Sequence, residues 1–309
     1  LDRPLQPRVL VLGEPTTIGA YRVLGKLGEG GMGTVYVAEH ALLGRRAAIK
    51  VLLPTFSANP EIVQRFFNEA RAVTQVADPG IVQVFDFGQH VDGSAFLVME
   101  LLEGEPLDRR LARVGRLSVP ESLRLAKRVA CSLAAAHAKG IVHRDLKPEN
   151  LFLIGDAAVT GGERPKILDF GIAKLSSDDA GTIKTRTGTL MGTPVYMSPE
   201  QCRGAGDIDL RSDIYALGCV LVAMLTGRPP FVADASGDLI VAHLTQPPPR
   251  LAERVAGMPE VVETVVACCL AKAPAARYAS MRDLVAAIEG AEVALYLGGG
   301  LEPAASGAY

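Results

Sequence analysis

The hydrophobic period of this chain changes once, close to Gly104, and that change restricts the fold more than any other feature. From Tyr21 to about Glu100 apolar residues alternate or run in short β-branched stretches. Val35 and Val37 flank Tyr36, and Ala47 to Leu52 and Ala95 to Met99 follow. Period two marks strands. One helix interrupts them, predicted over 60–76, with Ile62, Phe66, Glu69, Val73 and Val76 on one face. A carboxylate on that face needs a cationic partner, because burying it alone is costly. After Gly104 the period is helical, with long helices predicted over 120–140 and 213–226 and shorter ones near 237–245, 259–271 and 280–297. Strands followed by helices give an α+β chain of two lobes, and 309 residues exceeds the usual size of one hydrophobic core. The expected boundaries are a loose arm over 1–17, a first lobe over 18–102, a second over 103–297 and a Gly-rich tail over 298–309. The lobes join through Glu100 to Gly104, and a cleft between lobes is a common ligand site.

A net charge of -2 argues against a general nucleic-acid or membrane-surface binder. The five cysteines have no metal-ligand spacing, and adjacent Cys268 and Cys269 do not suit a disulfide framework, so buried thiols in a reducing compartment are expected. No signal peptide is visible, and the longest apolar run, Ala216 to Leu225, is far short of the ~20 residues of a membrane helix. A cytoplasmic location is expected, as a free domain or as the cytoplasmic part of a longer, membrane-anchored protein.

Three motifs carry chemistry. Gly28-Glu29-Gly30-Gly31-Met32-Gly33-Thr34-Val35 has the G-x-G-x-x-G-x-V spacing. In dinucleotide-binding folds such a run opens a helix. Here Thr34 to Val37 is β-branched and aromatic, so a strand follows, and the loop reads as a hairpin lid over a ligand or a plain glycine hairpin. Lys50, in Ala48-Ile49-Lys50, sits among apolar neighbours, and a buried ammonium needs an anion. Glu69 and a nucleotide phosphate would both serve. The run His143 to Asn150 gathers Asp145, which can accept a proton from an alcohol, Lys147, which can balance phosphoryl charge, and Asn150, which offers an oxygen to a divalent cation. Pro148 keeps this run from becoming a helix.

With Asp169-Phe170-Gly171 and Ser198-Pro199-Glu200 added in this order and spacing, the chain resembles the eukaryotic-type serine/threonine protein kinases over roughly residues 18 to 290, and most closely their bacterial, receptor-kinase-like branch. The resemblance implies a bilobal fold, with a β-rich lobe carrying one regulatory helix and a mainly helical lobe. It implies that Leu27, Gly28, Gly30, Gly33 and Val35 cover ATP, that Lys50 orients its phosphates and pairs with Glu69, and that Asn150 and Asp169 hold Mg2+ or Mn2+. Asp145 would take the substrate proton and Lys147 neutralise the γ-phosphate. Adenine would lie between Val35 and Ala48 on one side and Phe152 on the other, beside Met99, with backbone groups near Glu100 and Leu102 at its edge. Asp213 would brace the catalytic loop, and Arg277 would pair with Glu200. His143 would stack in an apolar column with Phe170, Val73 and Phe85. The remaining histidines, His40, His90, His137 and His243, read as ordinary.

Lys147 and Thr193 match serine/threonine rather than tyrosine kinases, and Thr193 would bridge Asp145 and Lys147. Of the threonines between Asp169 and Glu200, Thr185 and Thr187 match positions that bacterial relatives phosphorylate. Arg144 supplies a positive charge that a phosphothreonine could satisfy. The expected partners are protein substrates and a second copy of the chain for trans-autophosphorylation. A pseudokinase scaffold and a small-molecule phosphotransferase are the alternatives. One departure from the family is a longer turn over 154–165, carrying Gly155, Gly161 and Gly162, expected as a surface excursion without catalytic consequence.

Overall fold

The computed structural model describes residues 16–170, 194–204 and 208–298. The chain divides into two compact units, Leu1–Ala77 with Val82–Glu103, and Asp78–Ile81 with Gly104–Tyr309. The first comprises β1 (Thr17–Ile18), β2 (Tyr21–Gly30), β3 (Gly33–His40), β4 (Arg46–Leu52), α1 (Pro54–Ser57), α2 (Pro60–Thr74), β5 (Val84–Gln89) and β6 (Ala95–Glu100). Its strands form one antiparallel sheet in the order β1-β2-β3-β4-β6-β5. The loose arm expected over 1–17 overlaps this sheet by one residue, because Thr17 pairs with Arg22 and Ile18 is buried.

Alternation sorts the sheet into two faces. Tyr21, Val23, Tyr36, Ala38, Ala47, Ile49, Phe96 and Val98 form one apolar cluster. The residues between them on β3, β4 and β6 take the other face: Val35 opposite Lys50, Val37 opposite Ala48, and Ala48 opposite Met99. Four of the residues expected around a nucleotide, Val35, Ala48, Lys50 and Met99, therefore share a single sheet face. Phe85, expected in a column with His143, packs instead against the opposite cluster, with the Arg45 guanidinium 3.7 Å from its ring. Val84, paired with Met99, takes the other face.

On α2 the buried residues are Val63, Phe66, Ala70 and Val73, so the apolar stripe is turned from the expected one, and Ile62 and Glu69 flank it half-buried. Asn59 caps the helix, its side chain accepting from the Glu61 amide at 2.9 Å.

The second unit holds β7 (Gly104–Pro106), α3 (Leu107–Val114), α4 (Val119–His137), β8 (Leu151–Gly155), β9 (Glu163–Ile167), α5 (Pro199–Cys202), α6 (Arg211–Thr226), α7 (Ser236–Thr245), α8 (Glu260–Cys269) and α9 (Met281–Leu297). Buried on every side from Ser212 to Leu225, α6 is the central helix of this unit. Gly218 lets α8 approach it, since a Cβ there would stand 2.6 Å from the Cys269 Cβ. The cysteines are all free; Cys202, Cys219 and Cys269 are buried, whereas Cys131 is exposed. Among the described residues no helix is long and apolar enough to cross a membrane. Strands β7, β8 and β9 form a small sheet, and Ile81 bridges to Ile167 beside it, which is why Asp78–Ile81 belongs to this unit.

Candidate active site

Between α4 and β8 the chain makes a loop around Arg144, one of two non-glycine residues with positive φ among those described (φ 65); Asp169 is the other (φ 49). Left-handed backbone is uncommon for side chains with a Cβ and persists only where surroundings fix it. The surroundings here are explicit. The fully buried Asp213 carboxylate, on α6, accepts from the His143 amide (2.8 Å), the Arg144 amide (2.8 Å) and His137 Nε2 (2.7 Å). From the other side, the Gln201 side-chain amide donates to the Arg144 carbonyl at 2.7 Å. The strained peptide is held at both ends, and the expected bracing role of Asp213 has a geometric form.

The loop then presents its functional groups together. Lys147 Nζ lies 2.9 Å from Asp145 Oδ2, both side chains about one-third exposed (33% and 29%). The buried Asn150 donates its amide to the Asp145 carbonyl at 2.8 Å and to Asp145 Oδ2 at 3.3 Å. Both contacts use the Asn150 nitrogen, which leaves its oxygen available as a ligand. The Asp145 amide donates to His143 Nδ1 at 3.2 Å, so Nε2 carries the proton and donates to the Leu168 carbonyl at 2.9 Å. The Leu168 amide donates to the Asn150 carbonyl at 2.9 Å, and the His143 and Phe170 ring centroids lie 4.8 Å apart. A buried histidine thus ties the loop to the segment that carries Asp169, a packing and tethering role rather than an acid–base one.

Further along, Arg277 grips Glu200 in a bidentate pair at 2.7 and 2.8 Å, and Ser212 donates to the same carboxylate at 2.8 Å. Burial pushes the Glu200 carboxyl upward, but the Arg277 hydrogen bonds and charge outweigh it and hold it at about 2. Arg277 also donates to the carbonyls of Ala271 (2.8 Å) and Arg211 (2.9 Å), so it ties three segments into one buried knot. Ser198 begins α5 with a reciprocal capping box to Gln201, which fixes the side chain that reaches Arg144.

In the first unit the glycines divide by role. A Cβ on Gly33 would fall 2.1 Å from the Val51 carbonyl, so strand packing requires that glycine. Gly28 and Gly30 would meet nothing within 4 Å, so the space above their backbone can admit another group. Lys50 is buried on β4, and Glu69 is half-buried on α2. Leu27 is exposed, and the Glu100 amide donates to the Gln83 carbonyl at 2.9 Å. Leu102, half-buried, precedes β7, and Phe152 is half-buried on β8 between the buried Leu151 and Leu153. Thr185, Thr187 and Thr193 lie outside the described residues.

Sequence reasoning passed over three residues. His137 is a partner of Asp213, not an ordinary histidine. Gln201 is a clamp on Arg144. His243 is fully buried, with Nδ1 2.9 Å from the Tyr215 hydroxyl and Nε2 3.1 Å from the Val195 carbonyl. Lys272 donates to the His243 carbonyl at 2.8 Å.

One unit carries a glycine hairpin and a buried lysine, and the other gathers Asp145, Lys147 and Asn150 on one loop. The pattern of the family described as "Protein kinase domain" matches residues 21–287. The chain is 44% identical over 266 residues to serine/threonine-protein kinase Pkn1 of Myxococcus xanthus, covering 85% of this chain and 37% of that protein. It is 40% identical over 291 residues to PknA of Mycobacterium tuberculosis, covering 92% of this chain and 64% of that one. The crystal structure of the Mycobacterium tuberculosis PknI kinase domain superposes with a TM-score of 0.70 at 30% identity, over 91% of this chain and 99% of that one. The chain belongs to the protein kinase domain family, in its branch of bacterial serine/threonine-protein kinases. It spans from about a third to under two-thirds of the length of these two curated relatives.

Proposed function

We propose that this domain transfers the γ-phosphoryl group of ATP to serine and threonine hydroxyls of proteins, with Asp145 as the group that accepts the hydroxyl proton. The observation that carries this reading is the constellation of Asp145, Lys147 and Asn150 on a loop whose strained backbone is clamped by Asp213 and Gln201. Asp145 is held in place by Asn150 yet keeps solvent access, as a base that must meet an incoming substrate requires. Lys147 sits where it offsets charge on the transferring group.

Among the described residues no cluster of three or more His, Cys, Asp or Glu could hold a metal alone. One carboxylate and one amide oxygen suit Mg2+, which takes few protein ligands and completes its shell with water and phosphates. Asn150 and Asp169 are the proposed ligands, and Mg2+ (or Mn2+) bound there neutralises phosphate charge. In the first unit, the shared face of Val35, Ala48, Lys50 and Met99 supports the assignment of adenine walls and phosphate contact, with Gly28, Gly30 and Gly33 as the lid and Leu27, Glu100 and Leu102 at the edge. Glu69 is the proposed partner of Lys50, and Phe152 a proposed apolar wall for adenine.

Arg144 Nε is buried with no hydrogen-bond partner among the described residues, which supports its proposed role as receptor for a phosphate on Thr185 or Thr187. Phosphorylation between two copies of the chain would supply that phosphate, and Thr193 is assigned to bridge Asp145 and Lys147. We place this activity in the cytoplasm.

The deciding experiment is radiolabel transfer from [γ-32P]ATP to a generic protein, comparing wild type with Asp145→Asn. Transfer by wild type alone, on serine and threonine, is expected. Equal signal from both proteins, or label only on small molecules, overturns the reading. Phosphopeptide mass spectrometry of active protein showing neither Thr185 nor Thr187 modified removes the autophosphorylation part.

A further inference from the structure

The long turn between β8 and β9, which the catalytic machinery does not use, builds one wall of a second cavity. Its backbone is closed by a hydrogen bond: the Asp156 amide donates to the Gly162 carbonyl at 2.8 Å, and Gly161 and Gly162 take φ of 85° and 69°. Asp156 also accepts from Arg164 at 2.6 Å. This turn faces α4, and with α9 and the segment Asp78–Gly80 it encloses about 500 Å3 lined by Arg124, Lys127, Arg128, Thr160 and Arg164. All of these residues belong to the second unit.

Three guanidinium groups converge at the turn's end of this cavity. Gly161 lies against Arg124 so closely that a Cβ there would stand 2.4 Å from Arg124 Nε. Arg128 spends one nitrogen on the Thr160 carbonyl at 2.9 Å, while its Nε is buried without a partner. Burial, and then the charges of Arg164 and Arg124, hold the Arg128 pKa below the ordinary arginine value, opposed by the charge of Asp156. Arg124 has no hydrogen-bond or ion-pair partner among the described residues. Of the acidic groups, Asp156 at this end is paired with Arg164, and those of the cavity lining are committed or exposed. Glu292 pairs with Lys127, Asp78 accepts from Ser132 Oγ (2.6 Å) and the Gly80 amide (2.8 Å), and Glu289 is exposed on α9. Asp156 offsets Arg164, whereas Arg124 and Arg128 Nε keep a partly buried positive charge that a bound anion would offset. Guanidinium forks match the oxygens of a phosphate, and the volume is that of a small-molecule site.

We propose that this cavity binds a phosphate group, as carried by a small phosphate monoester, with Arg124 and Arg128 as its main contacts and Arg164 supporting them. The long turn is then the binding device of a second ligand site.

The test is thermal unfolding and calorimetric titration of the whole chain with inorganic phosphate and with glucose 6-phosphate, at constant ionic strength set by chloride. Wild type and Asp145→Asn should both bind and gain thermal stability. Arg124→Gln, which removes no internal hydrogen bond or ion pair, should fold normally, keep phosphoryl transfer, and bind roughly 10- to 100-fold more weakly, as loss of a charged hydrogen bond implies. Arg128→Lys should weaken binding similarly. Binding of inorganic phosphate but not the ester identifies the free ion as the ligand and keeps the site. Equal affinity in wild type and Arg124→Gln overturns the proposal, as does binding only of a glutamate-rich peptide and of neither phosphate. If Arg124→Gln or Arg128→Lys lowers stability while wild type shows no response to phosphate, the arginines are structural and the proposal fails.

Discussion

The side-chain amide of Gln201 donates to the carbonyl of Arg144 at 2.7 Å, while Asp213 accepts from the Arg144 amide at 2.8 Å on the other side of the same residue. Arg144 holds φ at 65°, and Asp145 follows it directly. A loosened clamp therefore shifts Asp145 before it affects anything else. Gln201→Glu keeps an acceptor for the Ser198 amide (3.0 Å in the wild type) but sets a carboxylate against the Arg144 carbonyl. We expect kcat to fall about tenfold, the equivalent of one lost hydrogen bond of ~1.4 kcal/mol, with KM for ATP little changed. Steady-state kinetics check this; an unchanged kcat would show that Asp213 alone fixes the loop.

The Glu200–Arg277 pair makes a different prediction. Its members are buried, and Arg277 additionally serves the carbonyls of Ala271, Arg211 and Lys272. Removing one partner leaves an uncompensated buried charge, so Arg277→Met should destabilise by ~3–5 kcal/mol. Glu200→Gln, which keeps a hydrogen-bond acceptor, should cost less. Urea unfolding monitored by circular dichroism distinguishes the two. Equal, small losses would mean the pair is a tether for function and not for stability.

The fold was legible because its two periods were. The alternating and short apolar runs of β3, β4 and β6 read as strands, the family resemblance grouped Val35, Ala48, Lys50 and Met99 around one ligand, and continuous burial of α6 matches its unbroken apolar run. Phase was less legible than period. On α2 the expected stripe through Ile62 and Glu69 is displaced to Val63, Phe66, Ala70 and Val73, and Phe85 faces the opposite cluster, because neither a short helix nor a bulged strand fixes its own rotation. The short α3 escaped notice because arginines crowd it and only Leu107 is buried. Long-range polar contacts that the resemblance did not imply were invisible. Nothing local to His137, Gln201 or His243 announces that Asp213, Arg144 or Tyr215 lies beside it.

His243 gives a pH prediction. Burial, and then the charge of Lys272, hold its pKa at about 4, opposed only by the hydrogen bond to the Val195 carbonyl. The Tyr215 hydroxyl and Phe231 ring are its other neighbours. Between pH 6.5 and 4 the unfolded chain binds a proton here that the folded chain does not, so stability falls as pH drops through that window. The expected loss is ~3 kcal/mol at most. Glu200 adds a second loss at lower pH, from its unfolded value near 4.5 down toward 2. Denaturant unfolding at pH 7, 5.5 and 4.5 should show the first slope in wild type and a shallower one in His243→Gln. Parallel slopes would assign the acid sensitivity to other groups.

The glycine hairpin separates structure from ligand contact within one motif. A Cβ on Gly33 collides with the Val51 carbonyl at 2.1 Å, whereas one on Gly28 or Gly30 meets nothing within 4 Å. Gly33 pairs with Leu52 in the β3–β4 ladder, so Gly33→Ala must push two strands apart. It should lower stability by ~1–3 kcal/mol, the usual penalty of overpacking. Gly28→Ala and Gly30→Ala should leave the unfolding midpoint unchanged and raise KM for ATP, because the added methyl would stand where phosphate oxygens approach the backbone. Paired measurements of thermal midpoint and KM on the three variants decide the matter. If Gly28→Ala raised no KM while Gly33→Ala did, phosphate contact would lie at the end of the hairpin nearest β3, and the lid would be shorter than the motif.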